Sequence, residues 1–166
     1  EYLVSLVNDI LDMNKLQSGD LKDQQLTFDF INFLKELNHI YYDKAAEKGI
    51  KYDIDWENVK FEHSTLIGNP VYLGRALSNI ASNAVKFSPS GSTITVWGNE
   101  EIIDDKHSLY TLYCKDEGEG MTDEFIKHAF DMFSQQNQTS RTKYEGSGLG
   151  LAMSKKLIER MGGSIK

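Results

Sequence analysis

The sequence holds one cysteine, Cys114, in 166 residues. A lone cysteine excludes an intrachain disulfide and fits a reducing compartment. Cys114 closes the apolar run 109–114, where a buried strand thiol is expected rather than a nucleophile. Long apolar runs are missing too. None approaches the roughly 20 residues of a membrane span, and no signal-peptide pattern opens the chain. Positive charge is scarce: 18 Lys and Arg stand against 25 Asp and Glu, a net charge of −7. That balance argues against nucleic-acid binding, which needs a basic surface. His39 has no partner at metal-ligand spacing, and His107 sits at a turn without functional context.

What is present is enough apolar residue, 40%, for a core in one ordinary domain plus an appendage. Leu3, Leu6, Val7, Ile10, Met13 and Leu16 recur at helical spacing until Gly19, so residues 2–18 are expected to form a helix that either pairs with helices outside the domain, the favoured reading, or folds back on its own domain. A strand is expected at 26–30. A helix follows at 31–48, with Leu34, Leu37, Ile40, Tyr41 and Ala45 facing inward. Strands are expected at 50–54, 61–67, 92–97 and 108–114, with a charged turn at 100–106. Gly68-Asn69-Pro70 opens a helix over 70–87, and Thr122 caps a helix reaching about 129. Trp56 and Trp97 are expected to be packing residues. The chain opens inside a helical pattern and stops just after Gly163, where a strand is expected to begin, so a fragment of a longer chain is expected.

Four stretches carry chemistry. On the 70–87 helix, Asn79, Asn83 and Lys86 lie at i, i+4 and i+7, beside the face of Leu73, Ala76, Leu77, Ile80, Ala81 and Ala84. Asparagine competes for backbone hydrogen bonds and suits a helix interior poorly. The stripe reads either as a solvated edge or as a Mg²⁺–nucleotide contact, with an amide oxygen for the ion and Lys86 for phosphate. At a strand end, Asp116-Glu117-Gly118-Glu119-Gly120 reads as an ordinary turn or as a seat for a planar base. A carboxylate there accepts from the exocyclic amine of adenine, whereas guanine turns a carbonyl toward it. Phe130-Asp131-Met132-Phe133 leads into a polar, proline-free segment, 134–145, which reads either as a disordered surface loop or as a lid in which Arg141 and Lys143 reach a terminal phosphate.

The fourth stretch is Gly146-Ser147-Gly148-Leu149-Gly150-Leu151, which runs straight into a helix. Leu149, Ala152, Met153, Leu157 and Met161 share one face of it, and Gly162-Gly163 ends it. Glycines at a helix start let backbone N–H groups approach an anion, although a flexible connection has the same composition. A P-loop is excluded, since Leu151 follows Gly150. A dinucleotide fingerprint is excluded as well, because its third glycine would fall on Leu151 or Met153.

Taken in this order, the four stretches resemble the N, G1, F and G2 boxes of sensor histidine kinases. The resemblance extends over residues 3–166 and includes Leu6-Val7-Asn8-Asp9-Ile10-Leu11-Asp12, which resembles the end of the second dimerisation helix. It implies an α/β (α+β) two-layer sandwich of a mixed sheet and about three helices. Residues 1–20 would be the helix remnant and 21–166 the catalytic ATP-binding domain, with closing strands missing. By resemblance Asn83 holds Mg²⁺ and Asn79 supports the metal–phosphate end. Lys86 contacts phosphate and Phe87 lies near adenine. Asp116 binds the adenine amine, and Gly118 and Gly120 give the base room. Phe130 and Phe133 anchor the lid. Gly146, Ser147, Gly148, Leu149 and Gly150 wrap the phosphates, with Arg141 and Lys143 reaching the terminal one. Asn79, Lys86 and Arg141 carry the catalytic role. Gyrase-type ATPases resemble this pattern but place a water-activating Glu where Asn79 stands, and an amide has no useful basicity. This departure favours phosphoryl transfer over hydrolysis, with an ATPase clamp or a docking module without transfer as the alternatives. None of His39, His63, His107 and His128 lies in an acceptor motif, so the acceptor is expected on dimerisation helices supplied by the full homodimeric kinase. The implied partners are ATP, those helices and a response-regulator receiver domain. The implied location is a cytoplasmic domain of a protein whose membrane anchoring stays open.

Overall fold

The computed structural model describes residues 25–55, 59–136 and 147–166, together with Val7, Leu11 and Asn14, which are helical. Most of the expected 2–18 helix, Trp56, Arg141, Lys143, Glu145 and Gly146 lie outside the described residues. The strand β1 (Leu26–Asp29) is one residue shorter than expected because Asp29 caps a helix. Its carboxylate accepts the Asn32 N–H at 2.9 Å, which starts α1 (Phe30–Glu47) and moves Phe30 into the helix. The buried stripe of α1 is Phe30, Leu34, Asn38, Tyr41 and Ala45. Ile40, expected inward, is 51% exposed, because the stripe runs through Asn38 instead. Asn38 is tolerated there because Tyr52 Oη donates to its Oδ1 at 2.9 Å and its Nδ2 donates to the Leu34 carbonyl at 2.8 Å. His39 stays on the solvent side, 4.0 Å from Asp43.

The remaining elements are β2 (Lys51–Ile54), β3 (Thr65–Gly68), α2 (Pro70–Phe87), β4 (Thr93–Ile102), β5 (Ser108–Lys115), α3 (Asp123–Ile126) and α4 (Gly150–Arg160). Asn69 Oδ1 accepts the Tyr72 N–H at 3.1 Å, so α2 begins as Gly68-Asn69-Pro70 predicts. β2 pairs parallel with β4, and β4 pairs antiparallel with β5, which makes a mixed sheet. β1 pairs with β3. The chain divides into two compact units. One holds 27–67 and 81–119, the other 1–26, 68–80 and 120–166.

In the unit of 27–67 and 81–119, helix packs on sheet. Tyr41 and Ala45 of α1 and Ala81, Ala84 and Val85 of α2 close over Ile50, Tyr52 and Ile94, with Leu37, Ile54, Val96 and Cys114 at the margin. Burial pushes the Cys114 thiol up to about 11, aided by the charge of Asp116, so it is an inert strand thiol as expected. On the open face of the hairpin Trp97 stacks on Tyr113 at 5.0 Å, the packing role expected of it. In the other unit, Tyr72 and Ala76 of α2 pack with Leu149, Ala152, Met153 and Leu157. Met161, expected on this face, lies past the helix end. There Gly162 N–H donates to Glu159 O and Gly163 N–H to Ile158 O, closing a Schellman cap. Residues 164–166 take no strand in the structure.

β4 runs five residues beyond its expected end at Trp97, and residues 100–102, expected in a charged turn, are strand. The reason is Glu100, whose side chain is only 1% exposed. Its Oε2 accepts the N–H groups of Glu62 at 2.7 Å and His63 at 2.9 Å, and its Oε1 meets His63 Nδ1 at 2.7 Å. Burial alone would raise this carboxyl. Hydrogen bonds from Ser108, the His63 backbone and ring, and Tyr110 outweigh it and hold the group at about 2. A folded value below the ordinary 4.5 contributes stability that is complete above pH 4.5 and is lost as pH falls toward 2. Glu100→Gln therefore melts several degrees below the parent at neutral pH, and the gap narrows through that acid window. Melting curves at stepped pH check this; a gap independent of pH would remove the charge from the explanation.

The helix expected over 122–129 is a single turn. Thr122 Oγ1 caps it as predicted, accepting the Phe125 N–H at 3.2 Å. Beyond Ile126 the backbone tightens into i to i−3 bonds, from His128 to Phe125 and from Asp131 to His128, and His128 Nδ1 meets Asp131 at 2.7 Å.

Candidate nucleotide site

The unit of 27–67 and 81–119 carries one group of the sequence-predicted residues. Asn83 and Lys86 are half-buried on α2, and Phe87 ends it. Lys86 Nζ lies over the Phe87 ring, 4.8 Å from its centre. The C-terminus of α2 is held by Lys48, whose ammonium donates to the carbonyls of Val85 at 2.8 Å and Lys86 at 3.2 Å. Sequence reasoning missed Lys48. Its only signal was a cation placed at the end of α1, next to Gly49.

Asp116 is exposed at the end of β5. Its Oδ1 accepts the Gly118 N–H at 2.9 Å, and among the described residues no donor hydrogen-bonds its Oδ2. Gly118 is pressed against α2. A Cβ there would stand 2.7 Å from Asp116 Oδ1 and 2.9 Å from the Phe87 carbonyl oxygen. The structure thus brings Asp116, Gly118 and the Phe87 backbone together. The neighbouring acid has different work: Glu117 accepts the Thr93 N–H at 2.8 Å and ties the strand end to β4.

The unit of 68–80 and 120–166 carries the other group. Gly120 has φ 73° and open space where a Cβ would stand. Ser147 Oγ accepts the Leu149 N–H at 3.3 Å, and Gly148 turns at φ 69°. The Leu149 side chain is 1% exposed and plugs the core, so only its backbone is available to a ligand. Gly150 begins α4, and its carbonyl accepts from Asn79 Nδ2 at 3.0 Å and from Ser154 Oγ at 2.9 Å. Ser154, fully buried, also lies 3.2 Å from the Ala76 carbonyl. Asn79 and Gly150, predicted separately, are therefore in direct contact. Ser154 went unread; a serine inside the apolar stripe of α4, four residues after Gly150, was its signal. Phe130 is half-buried with Lys155 Nζ 5.7 Å above its ring. Phe133 is attached differently. The residue is 58% exposed, and its backbone N–H donates to the Gly148 carbonyl at 3.0 Å. Among the described residues no group of three His, Cys, Asp or Glu could hold a metal alone. No helix among them is long and apolar enough to cross a membrane.

Helices packed on a sheet with parallel and antiparallel pairs make an α/β fold. Residues 68–166 match the family described as histidine kinase-, DNA gyrase B-, and HSP90-like ATPase, and the chain belongs to that family. It is 33% identical over 165 residues to the autoinducer 2 sensor kinase/phosphatase LuxQ of Vibrio vulnificus (strain YJ016), covering 99% of this chain and 19% of that protein. The chain thus spans about a fifth of the length of that curated relative. Among solved structures, full-length ShkA in complex with AMPPNP is 28% identical with a TM-score of 0.74, over 97% of this chain and 31% of that one. The Acinetobacter baumannii histidine kinase AdeS shares the fold at a TM-score of 0.72 and 19% identity, over 99% of this chain and 70% of that one.

Proposed function

We propose that this chain is the catalytic ATP-binding domain of a sensor histidine kinase, which transfers the γ-phosphoryl group of ATP to a histidine on a dimerisation helix for relay to a receiver-domain aspartate. The observation that carries this reading is the Asp116–Gly118 turn. One carboxylate oxygen is consumed by the turn, and the other is left to accept an exocyclic amine, beside a glycine whose missing Cβ lets the turn press against the Phe87 carbonyl. The AMPPNP complex of the relative ShkA supports a nucleotide ligand. Asn83, half-buried on α2, is the residue that would hold Mg²⁺; the ion, when bound, neutralises phosphate charge. One hard amide ligand suits an ion that takes its other ligands from phosphates and water. Lys86 adds positive charge for phosphate, and the backbone of 148–150 offers N–H groups at the start of α4. The reading also assigns phosphate contacts to Gly146, Arg141 and Lys143.

Asn79 spends its amide nitrogen on Gly150 and has no basicity to activate water, which favours transfer over hydrolysis. Transfer depends mainly on positioning and charge neutralisation, so no general base is needed from this residue. The dimerisation helices of a homodimer and a receiver domain are the partners this reading requires, in a cytoplasmic setting. The test supplies this chain with γ-labelled ATP, Mg²⁺ and a fragment bearing both dimerisation helices. Label appears on the fragment's histidine, acid-labile and base-stable, and none persists on this chain. Phosphohistidine on the isolated chain, or steady hydrolysis with no transfer to the fragment, would overturn the proposal.

A further inference from the structure

Phe133 has φ 63°, the only positive value at a non-glycine position among the described residues. A residue bearing a Cβ is sterically disfavoured there, and a bulky one more so. Such a conformation persists only where its surroundings over-determine it. Packing of the ring does not account for it, since the residue is largely exposed and joins neither buried cluster. The backbone does. Phe133 N–H donates to the Gly148 carbonyl, and the adjoining Ser134 N–H turns back to Asp131 O at 3.3 Å. From the other side Gly148 is packed so closely that a Cβ on it would lie 2.8 Å from the Phe133 carbonyl carbon, 2.9 Å from its Cα and 3.0 Å from the Ser134 oxygen. Two left-handed residues, far apart in sequence, interlock backbone to backbone.

We propose that Phe133 is a positioning residue that acts through its left-handed backbone, clipping the Gly148 turn so that residues 148–150 hold one geometry for phosphate. This rests on the ATP-binding reading of the site and adds to it a requirement at position 133 for backbone conformation rather than for an aromatic ring. The chain of contacts is short. The Phe133 N–H fixes the Gly148 carbonyl, Leu149 anchors the next residue in the core, and Asn79 and Ser154 fix the Gly150 carbonyl. The loop is then held at three consecutive residues, and only the Phe133 contact depends on a strained donor.

The test is a substitution series at position 133 that separates ring from backbone. Glycine and asparagine tolerate φ > 0 and discard the ring; valine is apolar and β-branched and resists φ > 0. Phe133→Gly and Phe133→Asn bind Mg²⁺–ATP within about twofold of the parent. Phe133→Val binds roughly five- to tenfold more weakly, with its melting temperature close to that of the other two. Hydrogen exchange of the residue 133 amide provides a readout independent of nucleotide: protection persists in the Gly and Asn variants and falls in the Val variant. Gly and Asn variants that lose affinity as much as the Val variant would overturn the proposal in favour of a ring contact. A parent chain that fails to bind ATP would overturn the reading of the site and the phosphate role with it, while the exchange rates still decide whether the clip exists.

Discussion

Asp116→Asn binds ATP roughly a hundredfold more weakly than the parent chain, since a hydrogen bond to a charged group contributes up to about 3 kcal/mol, and its preference for ATP over GTP collapses. The turn dictates this result. Asp116 Oδ1 accepts the Gly118 N–H, and in the variant the amide oxygen keeps that bond because its nitrogen would set donor against donor. The amide nitrogen is then forced into the place of Oδ2, where it confronts the adenine amine. Guanine presents a carbonyl at that edge and gains an acceptable partner, so GTP affinity holds or rises while ATP affinity falls. The fold is spared: Asp116 is exposed, and Glu117, which joins β5 to β4 through the Thr93 N–H, is untouched. Titrations with ATP and GTP, beside a melting curve, check all three parts. Equal losses for both nucleotides would mean that the carboxylate contributes only charge.

Gly148→Ala has the second large effect. Its φ of 69° is unfavourable for alanine by about 1–2 kcal/mol, and the added Cβ would stand 2.8 Å from the Phe133 backbone. That contact is with main-chain atoms of a residue already in a left-handed conformation, so no flexible side chain can swing aside. Either the Gly148 turn opens or Phe133 is expelled, and both break the 3.0 Å bond between them. ATP affinity falls by at least roughly tenfold. The helix behind the loop remains, because Leu149, Ala152, Met153 and Leu157 keep their burial. Calorimetric titration and far-ultraviolet circular dichroism together separate loss of the loop from loss of the fold; unchanged affinity would remove Gly148 from the site.

Much of the architecture was legible because local signals and tertiary packing agree. α2 runs from Pro70 to Phe87 as its cap and periodicity predict, and the 108–115 strand and the glycine-led α4 stand where they were expected. Legibility failed where a long-range polar contact decided the outcome. Gly98, Asn99, Glu100 and Glu101 are poor strand formers, yet β4 continues through them because Glu100 collects the Glu62 and His63 amides. Asn38 displaced Ile40 from the buried stripe of α1 because the Tyr52 hydroxyl, distant in sequence, satisfies its amide. The site shows the same division. The turn at Asp116–Gly118 and the glycine-led entry to α4 were legible from residue type and order. The contact of Asn79 with Gly150, the grip of Lys48 on the end of α2 and the left-handed Phe133 were not, since each depends on a backbone atom far away in sequence.

The most direct measurement is calorimetric titration of the unmodified chain with ATP and with GTP, each with Mg²⁺. Saturable binding of one ATP per chain, clearly tighter than GTP and weakened by removal of Mg²⁺, is the expected result. Absence of saturable binding, or equal affinity for the two nucleotides, would contradict the reading of this chain as an ATP-binding domain that selects adenine.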